Sequence, residues 1–136
     1  MIHLVTGGSG SGKSAYAEQC ILDFGGTRRV YIATMQPFGA EGQARIARHR
    51  KMRAAKKFST IECYTNLKEV ELEPGSDVLL ECMSNLTANE IFDPSGAGKA
   101  RTEEEILAGV SRLAHQARNL VLVTNEIFSD GYRYEE

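Results

Sequence analysis

The segment Gly7–Ser14 constrains the fold of this 136-residue chain more than any other part of it. Its residues, Gly-Gly-Ser-Gly-Ser-Gly-Lys-Ser, match the pattern GxxxxGK[ST] at every position. The segment follows an apolar run, Ile2–Thr6, that is typical of a buried strand, and it opens a stretch that predicts a helix from about Lys13 to Phe24. A strand, a glycine-rich turn and a helix N-terminus in this order predict an α/β fold.

The residue types in this segment indicate a phosphate-binding loop. Glycines let the backbone curl so that several N–H groups point at phosphate oxygens, and the helix N-terminus adds partial positive charge. Lys13 would reach the outer phosphates, and Ser14 would offer a hydroxyl to Mg²⁺. A dinucleotide fingerprint is excluded, because Gly8 and Gly10 would require a third glycine where Lys13 stands. We therefore predict a nucleoside triphosphate site. The predicted loop residues are Gly7, Gly8, Ser9, Gly10, Ser11, Gly12, Lys13 and Ser14.

A carboxylate at the end of a neighbouring strand is the second requirement of such a site, because it orients the metal ion. Two residues qualify. Glu81 closes the apolar run Val78–Leu80, and Glu126 follows the run that starts at Leu120. Either could be a solvated residue at a strand end, but we prefer Glu81 as the partner of Ser14 in binding Mg²⁺.

Apolar strands alternating with helices predict a single domain over residues 1–136, with a mostly parallel sheet covered on both faces. We expect Asn66 to cap a short helix through Leu72, and Thr102 and Glu105 to form a capping box. The residues after Ser129 are polar and should be irregular. The predicted strands are 2–6, 30–34, 58–63, 78–82 and 120–124, and the predicted longer helices are 13–24, 41–57, 85–92 and 102–119.

Positive charge is concentrated in one predicted helix, although the net charge of the chain is only −2. Seven Lys and Arg residues and no acidic residue lie between Glu41 and Glu62, which indicates an anionic ligand. His49 lies among these residues, and a neutral imidazole can attack phosphorus. The alternatives are a bystander histidine on a solvated basic surface and a nucleic-acid patch. The patch is disfavoured because aromatic residues do not alternate with the charges.

Cysteine usage and hydropathy bear on the compartment. The chain has an odd number of cysteines, three, and their spacing is neither paired nor of a metal-binding type, which fits a reducing cytosol. They are Cys20, Cys63 and Cys82. No apolar run approaches the ~20 residues of a membrane span, and the first residues lack a signal-peptide pattern. We therefore expect a soluble, cytoplasmic domain.

Several segments in sequence order together resemble one enzyme family. They are the loop Gly7–Ser14, Tyr31–Thr34, Ala44–Arg50, Leu79–Cys82 and Val121–Glu126. This set resembles the bifunctional adenosylcobinamide kinase / adenosylcobinamide-phosphate guanylyltransferase family of cobalamin biosynthesis. Family members usually continue beyond the position of Glu136, so we expect this chain to lack a C-terminal segment. Gly10 stands where the family commonly has arginine, and Phe58 where it often has tryptophan.

The resemblance implies a RecA-like, three-layer P-loop fold, a trimer, and two reactions. A nucleoside triphosphate such as ATP would phosphorylate adenosylcobinamide. GTP would then guanylylate His49, and the GMP would pass to adenosylcobinamide phosphate. Lys13 would serve catalysis as well as binding. The further nucleotide contacts that the resemblance implies are Thr34, Arg45, Arg50, Arg53 and Glu81. Two other readings stay open: a P-loop kinase of another small molecule without a covalent intermediate, and a non-catalytic nucleotide-binding module.

Overall fold

The structure, a computed structural model, describes residues 2–7, 12–36 and 39–125. Its centre is a sheet of five strands, and all the pairings between neighbouring strands are parallel. The predictions for Gly8–Ser11, for Glu126 and for the residues after Ser129 lie outside this described part. The strands are β1 (Ile2–Gly7), β2 (Arg28–Ala33), β3 (Phe58–Glu62), β4 (Ser76–Glu81) and β5 (Asn119–Asn125).

The strand order is β1-β5-β4-β2-β3, so β5 lies between the first strand and β4. Leu122 of β5 pairs with Leu4 on one side and with Leu80 on the other. The central strands are apolar on both faces because helices cover both faces, as is usual for a parallel sheet. This confirms the predicted α/β architecture and sharpens it, since the strands described are wholly parallel.

Helices α1 (Lys13–Asp23) and α2 (Gly39–Ala55) cover one face. Ala17 and Ile21 of α1 are fully buried in a core that also contains Leu79 and Val123. The α2 helix packs along β3 at the edge of the sheet. It starts two residues before the predicted Glu41 and ends two residues before the predicted Lys57.

Helices α3 (Met83–Phe92) and α4 (Thr102–Gln116) cover the opposite face, together with a short 3₁₀ helix, Leu67–Glu69. Leu86, Leu113 and Leu80 are fully buried in this second core. The structure therefore has the predicted three layers. Among the described residues, no helix is long and apolar enough to cross a membrane.

Two predicted helix caps are wrong, although α4 begins at the predicted Thr102. Thr102 does not cap α4; it lies within the first turn, and its hydroxyl donates to the Gly98 carbonyl at 2.8 Å. Glu105 is not available for a capping box, because it forms ion pairs with Lys68 and Arg101. Asn66 makes no side-chain cap either, since it adopts a left-handed conformation and the helix after it is a single 3₁₀ turn.

Candidate nucleotide-binding site at the carboxyl edge of the sheet

The carboxyl ends of the parallel strands bring the predicted site residues to one edge of the sheet. Gly7 ends β1, Glu81 ends β4, and Thr34 directly follows β2. Gly12 precedes α1 with a φ of +83°, a left-handed conformation that favours glycine. Lys13 and Ser14 then form the first turn of α1, which contains no acidic residue. The first-turn N–H groups of an α-helix point out of its N-terminus, and together with the helix dipole they favour an anion at this end.

Lys13 acts electrostatically on the end of β4. Burial raises the pKa of the Cys82 thiol, and the positive charge of Lys13 partly opposes that rise. Cys82 directly follows Glu81, so the lysine charge and the carboxylate lie in one region. The roles of Lys13 at the phosphates and of Glu81 at the metal ion stay predictions.

Glu81 is half-buried and is held by a hydrogen bond that the sequence did not predict. The Tyr31 hydroxyl donates to Glu81 Oε2 at 3.1 Å. Burial of the phenol, reinforced by the negative charge of Glu81, raises the pKa of Tyr31 far above its ordinary value. Tyr31 is therefore a neutral hydrogen-bond donor throughout the physiological pH range.

Thr34 lies beneath the site and is fully buried. Its Oγ1 accepts the Cys82 N–H at 2.8 Å and lies 3.1 Å and 3.0 Å from the carbonyl oxygens of Glu81 and Cys82. Asn89 of α3 donates its side-chain amide to the Thr34 carbonyl at 2.8 Å. These bonds fix the end of β4, whereas the nucleotide contact of Thr34 stays a prediction.

Two basic residues of α2, Arg50 and Arg53, have partners within the described part of the chain. Arg50 forms an ion pair with Glu62 at the end of β3. Arg53 is only 6% exposed, and its guanidinium carbon lies 3.5 Å from the centre of the Tyr31 ring. The backbone of α2 runs through Arg45 and His49, but their side chains lie outside the described set. His49 precedes Arg53 by one helical turn.

The sequence gives no sign of the positions of Tyr31 and Asn89, which the structure places in contact with Glu81 and Thr34. Nothing local in the sequence reveals that β2 pairs with β4. Only the register, in which Tyr31 lies beside Leu79 and Ala33 beside Glu81, brings the phenol to the carboxylate.

Among the described residues, no group of three or more His, Cys, Asp or Glu side chains could enclose a metal ion. In nucleotide sites, Mg²⁺ is usually held by one or two carboxylates together with nucleotide phosphates. The Ser14 hydroxyl and the Glu81 carboxylate are hard oxygen ligands of this kind.

The parallel sheet, the glycine-led helix start and the carboxylate at the end of β4 define a P-loop nucleotide-binding α/β protein. A family model described as cobinamide kinase / cobinamide phosphate guanyltransferase matches residues 3–134. The chain therefore belongs to this family, which confirms the resemblance drawn from the sequence.

Two curated relatives support this assignment. One is the bifunctional adenosylcobalamin biosynthesis protein CobU of Escherichia coli strain K12, which is 35% identical over 140 aligned positions. The protein of the same description from Salmonella typhimurium strain LT2 has the same identity. Each alignment covers 93% of this chain and 76% of the relative.

Proposed function

We propose that this chain catalyses both steps named by its family. It would phosphorylate adenosylcobinamide with a nucleoside triphosphate and transfer GMP from GTP to adenosylcobinamide phosphate. The family match over residues 3–134 carries this proposal. The grouping of Lys13, Thr34 and Glu81 at one edge of the sheet supports it, because phosphoryl transfer depends on positioning and electrostatic stabilisation.

In the kinase step, the aminopropanol hydroxyl oxygen of adenosylcobinamide would attack the γ-phosphorus of ATP. A new P–O bond forms, the bond to the β-phosphate oxygen breaks, and ADP leaves while the hydroxyl proton is lost. The amides of the loop Gly7–Ser14 would hold the phosphates, and Lys13 would offset the charge on the leaving group. Charge-assisted hydrogen bonds of this kind contribute about 1.5–3 kcal/mol each.

Ser14 and Glu81 are the residues that we assign to Mg²⁺. When bound, the ion would neutralise charge that builds up on the β- and γ-phosphates. The half-buried position of Glu81, with one carboxylate oxygen already fixed by Tyr31, supports this assignment.

In the guanylyl step, His49 would be the nucleophile. An imidazole nitrogen attacks the α-phosphorus of GTP, an N–P bond forms, the bond to the β-phosphate oxygen breaks, and pyrophosphate leaves. A phosphate oxygen of adenosylcobinamide phosphate then attacks the same phosphorus, the N–P bond breaks, and adenosylcobinamide-GDP forms. Arg45 and Arg50, on the same helix, would contact the triphosphate and stabilise charge on it.

We also propose a homo-oligomer, a trimer by family resemblance, and a cytoplasmic location. The three cysteines are free thiols, which supports a reducing compartment. The strand order is in keeping with an oligomer, because three strands separate β1 from β3 and these two edge strands are about 19 Å apart. A second subunit could supply α2 to the phosphate loop.

Incubation with α-labelled GTP followed by denaturation tests the guanylyl step. We expect label on the protein that is stable to alkali and labile to acid, as for a phosphoramidate, and lost in His49→Ala. The matched control is His115→Ala, because His115 is an exposed histidine on α4. Unlabelled wild-type protein that still phosphorylates a small molecule would favour a simple kinase, and nucleotide binding without any turnover would favour a binding module.

A further inference from the structure

The contact between Tyr31 and Glu81 follows from the sheet register. Tyr31 of β2 pairs with Leu79 of β4, and side chains two residues apart on a strand point to the same face. The phenol therefore extends two residues further along the neighbouring strand on the same face, where its hydroxyl donates to Glu81 Oε2 at 3.1 Å. The tyrosine side chain itself is only 6% exposed, so packing fixes the donor in place.

The other contact of the phenol is with Arg53 of α2. The guanidinium carbon lies 3.5 Å from the ring centre, and the arginine is only 6% exposed. Its Nε is buried and has no hydrogen-bond partner among the described residues. A buried guanidinium that lacks one of its hydrogen bonds depends strongly on its remaining contacts, so stacking on Tyr31 is a major part of what holds Arg53 at this position.

We infer that Tyr31 is a positioning residue for Glu81, and that Arg53 joins α2 to that carboxylate through the Tyr31 ring. This inference rests on the proposed function, because it takes Glu81 as the Mg²⁺ ligand. Outer hydrogen bonds of this kind orient a ligating carboxylate and change metal affinity or activity by about 10- to 100-fold when removed. The helix that carries His49 and the carboxylate of the kinase step are then connected by two contacts.

The Tyr31→Phe variant isolates the hydroxyl, because it keeps the ring on which Arg53 stacks. Binding of a fluorescent, non-hydrolysable GTP analogue is measured at equilibrium, first without metal and then over a range of Mg²⁺ concentrations. Without metal, we expect the affinity of the variant for the analogue to stay within about twofold of the wild-type affinity. The Mg²⁺ concentration that gives half of the metal-dependent change in affinity should rise about 10-fold. Tyr64→Phe is the matched control, since it makes the same chemical change in the loop after β3.

Variants of Arg53 test the second contact. Arg53→Met keeps a long apolar side chain without the charge, and Arg53→Lys keeps the charge without the planar stack. If Arg53 acts through Tyr31, both variants weaken only the Mg²⁺-dependent part of nucleotide binding. The double variant Arg53→Met, Tyr31→Phe should then lose less of this binding than the sum of the two single losses. A fall in metal-free affinity would instead indicate the direct nucleotide contact that the family resemblance implies for Arg53, and either that fall or full additivity would overturn a role of Arg53 through Tyr31.

The same measurements separate this inference from the proposed function, because they need no corrinoid substrate. Wild-type protein with Mg²⁺-dependent binding and a Tyr31→Phe variant with an unchanged Mg²⁺ profile would overturn the positioning role and leave the proposed function intact. Wild-type protein without any Mg²⁺ effect on binding would overturn both. Melting temperatures of all variants, measured in parallel, show that each change acts on the folded protein.

Discussion

Thr34 shows how one buried hydroxyl can position a charged group that it does not touch. The hydroxyl accepts the Cys82 N–H at 2.8 Å and lies within hydrogen-bond distance of two carbonyl oxygens of the same strand end. Backbone groups that lose their solvent in a core require such partners. Because Glu81 is one of the residues held in this way, Thr34 contributes to the site through the backbone.

Cys63, at the end of β3, allows a prediction about pH at the scale of one residue. Burial, with the negative charge of Glu90 adding to it, raises the pKa of this thiol from 9.0 to about 11. A group whose pKa is higher in the folded state contributes stability that is complete below its unfolded pKa and is lost as pH rises through the folded value. The window is therefore about pH 9 to 11.

Between about pH 8 and about pH 10.5, we expect the unfolding free energy of the wild-type chain to fall. This fall should be larger than that of Cys63→Ala by about 1–2 kcal/mol. Urea denaturation of both proteins at the two pH values measures this difference. Tyr31, whose pKa is also raised, affects both proteins alike and cancels in the comparison. Equal losses in the two proteins would contradict the assignment.

At the scale of elements, α4 packs on the 3₁₀ helix through a glycine. A Cβ added at Gly109 would lie 2.7 Å from the Cβ of Leu67, which cannot rotate away. Alanine at this position gains about 1 kcal/mol of helix propensity, but overpacking of a core costs about 1–3 kcal/mol.

Gly109→Ala should therefore destabilise the chain by up to about 2 kcal/mol, although alanine is the better helix former. The control is Ser111→Ala, because Ser111 is exposed on the same helix, and this change should be neutral or slightly stabilising. Denaturant unfolding of both variants measures the effect, and a stabilised Gly109→Ala protein would refute the predicted clash.

The elements also show which features a single sequence could predict. The phosphate loop and Glu81 could be predicted from the sequence because each is defined by its neighbours along the chain: a strand, then a glycine run or a carboxylate. The contacts of Tyr31 join residues 22 and 50 positions apart and depend on strand order and helix placement, which local patterns do not encode. The capping box at Thr102 was wrong for a related reason, since the partners of Glu105 include Lys68 of a distant segment.

At the scale of the whole molecule, the strand order separates β1, which leads into the phosphate loop, from β3, along which the His49-bearing helix α2 packs. The phosphate loop follows β1 at one edge of the described sheet, and α2 packs along β3 at the other edge. Lys56, directly after α2, nevertheless pairs with Glu18 of α1 in the same chain at 3.4 Å. His49 could therefore serve the phosphate loop of its own chain or that of a neighbouring subunit, and the two arrangements predict different behaviour of mixed oligomers.

Co-expression of differently tagged Lys13→Ala and His49→Ala chains distinguishes them, because each variant alone should fail to become labelled by α-labelled GTP. If α2 of one subunit serves the phosphate loop of the next in a ring, random mixing leaves about one quarter of the sites with both residues intact. Purification through both tags removes the unmixed rings, so mixed trimers, with one intact site in three, should recover up to about one third of wild-type labelling, whereas sites built within one chain would recover none. Light scattering of the wild-type protein gives the subunit number against which the fraction is calculated, and a monomer would rule out the shared site.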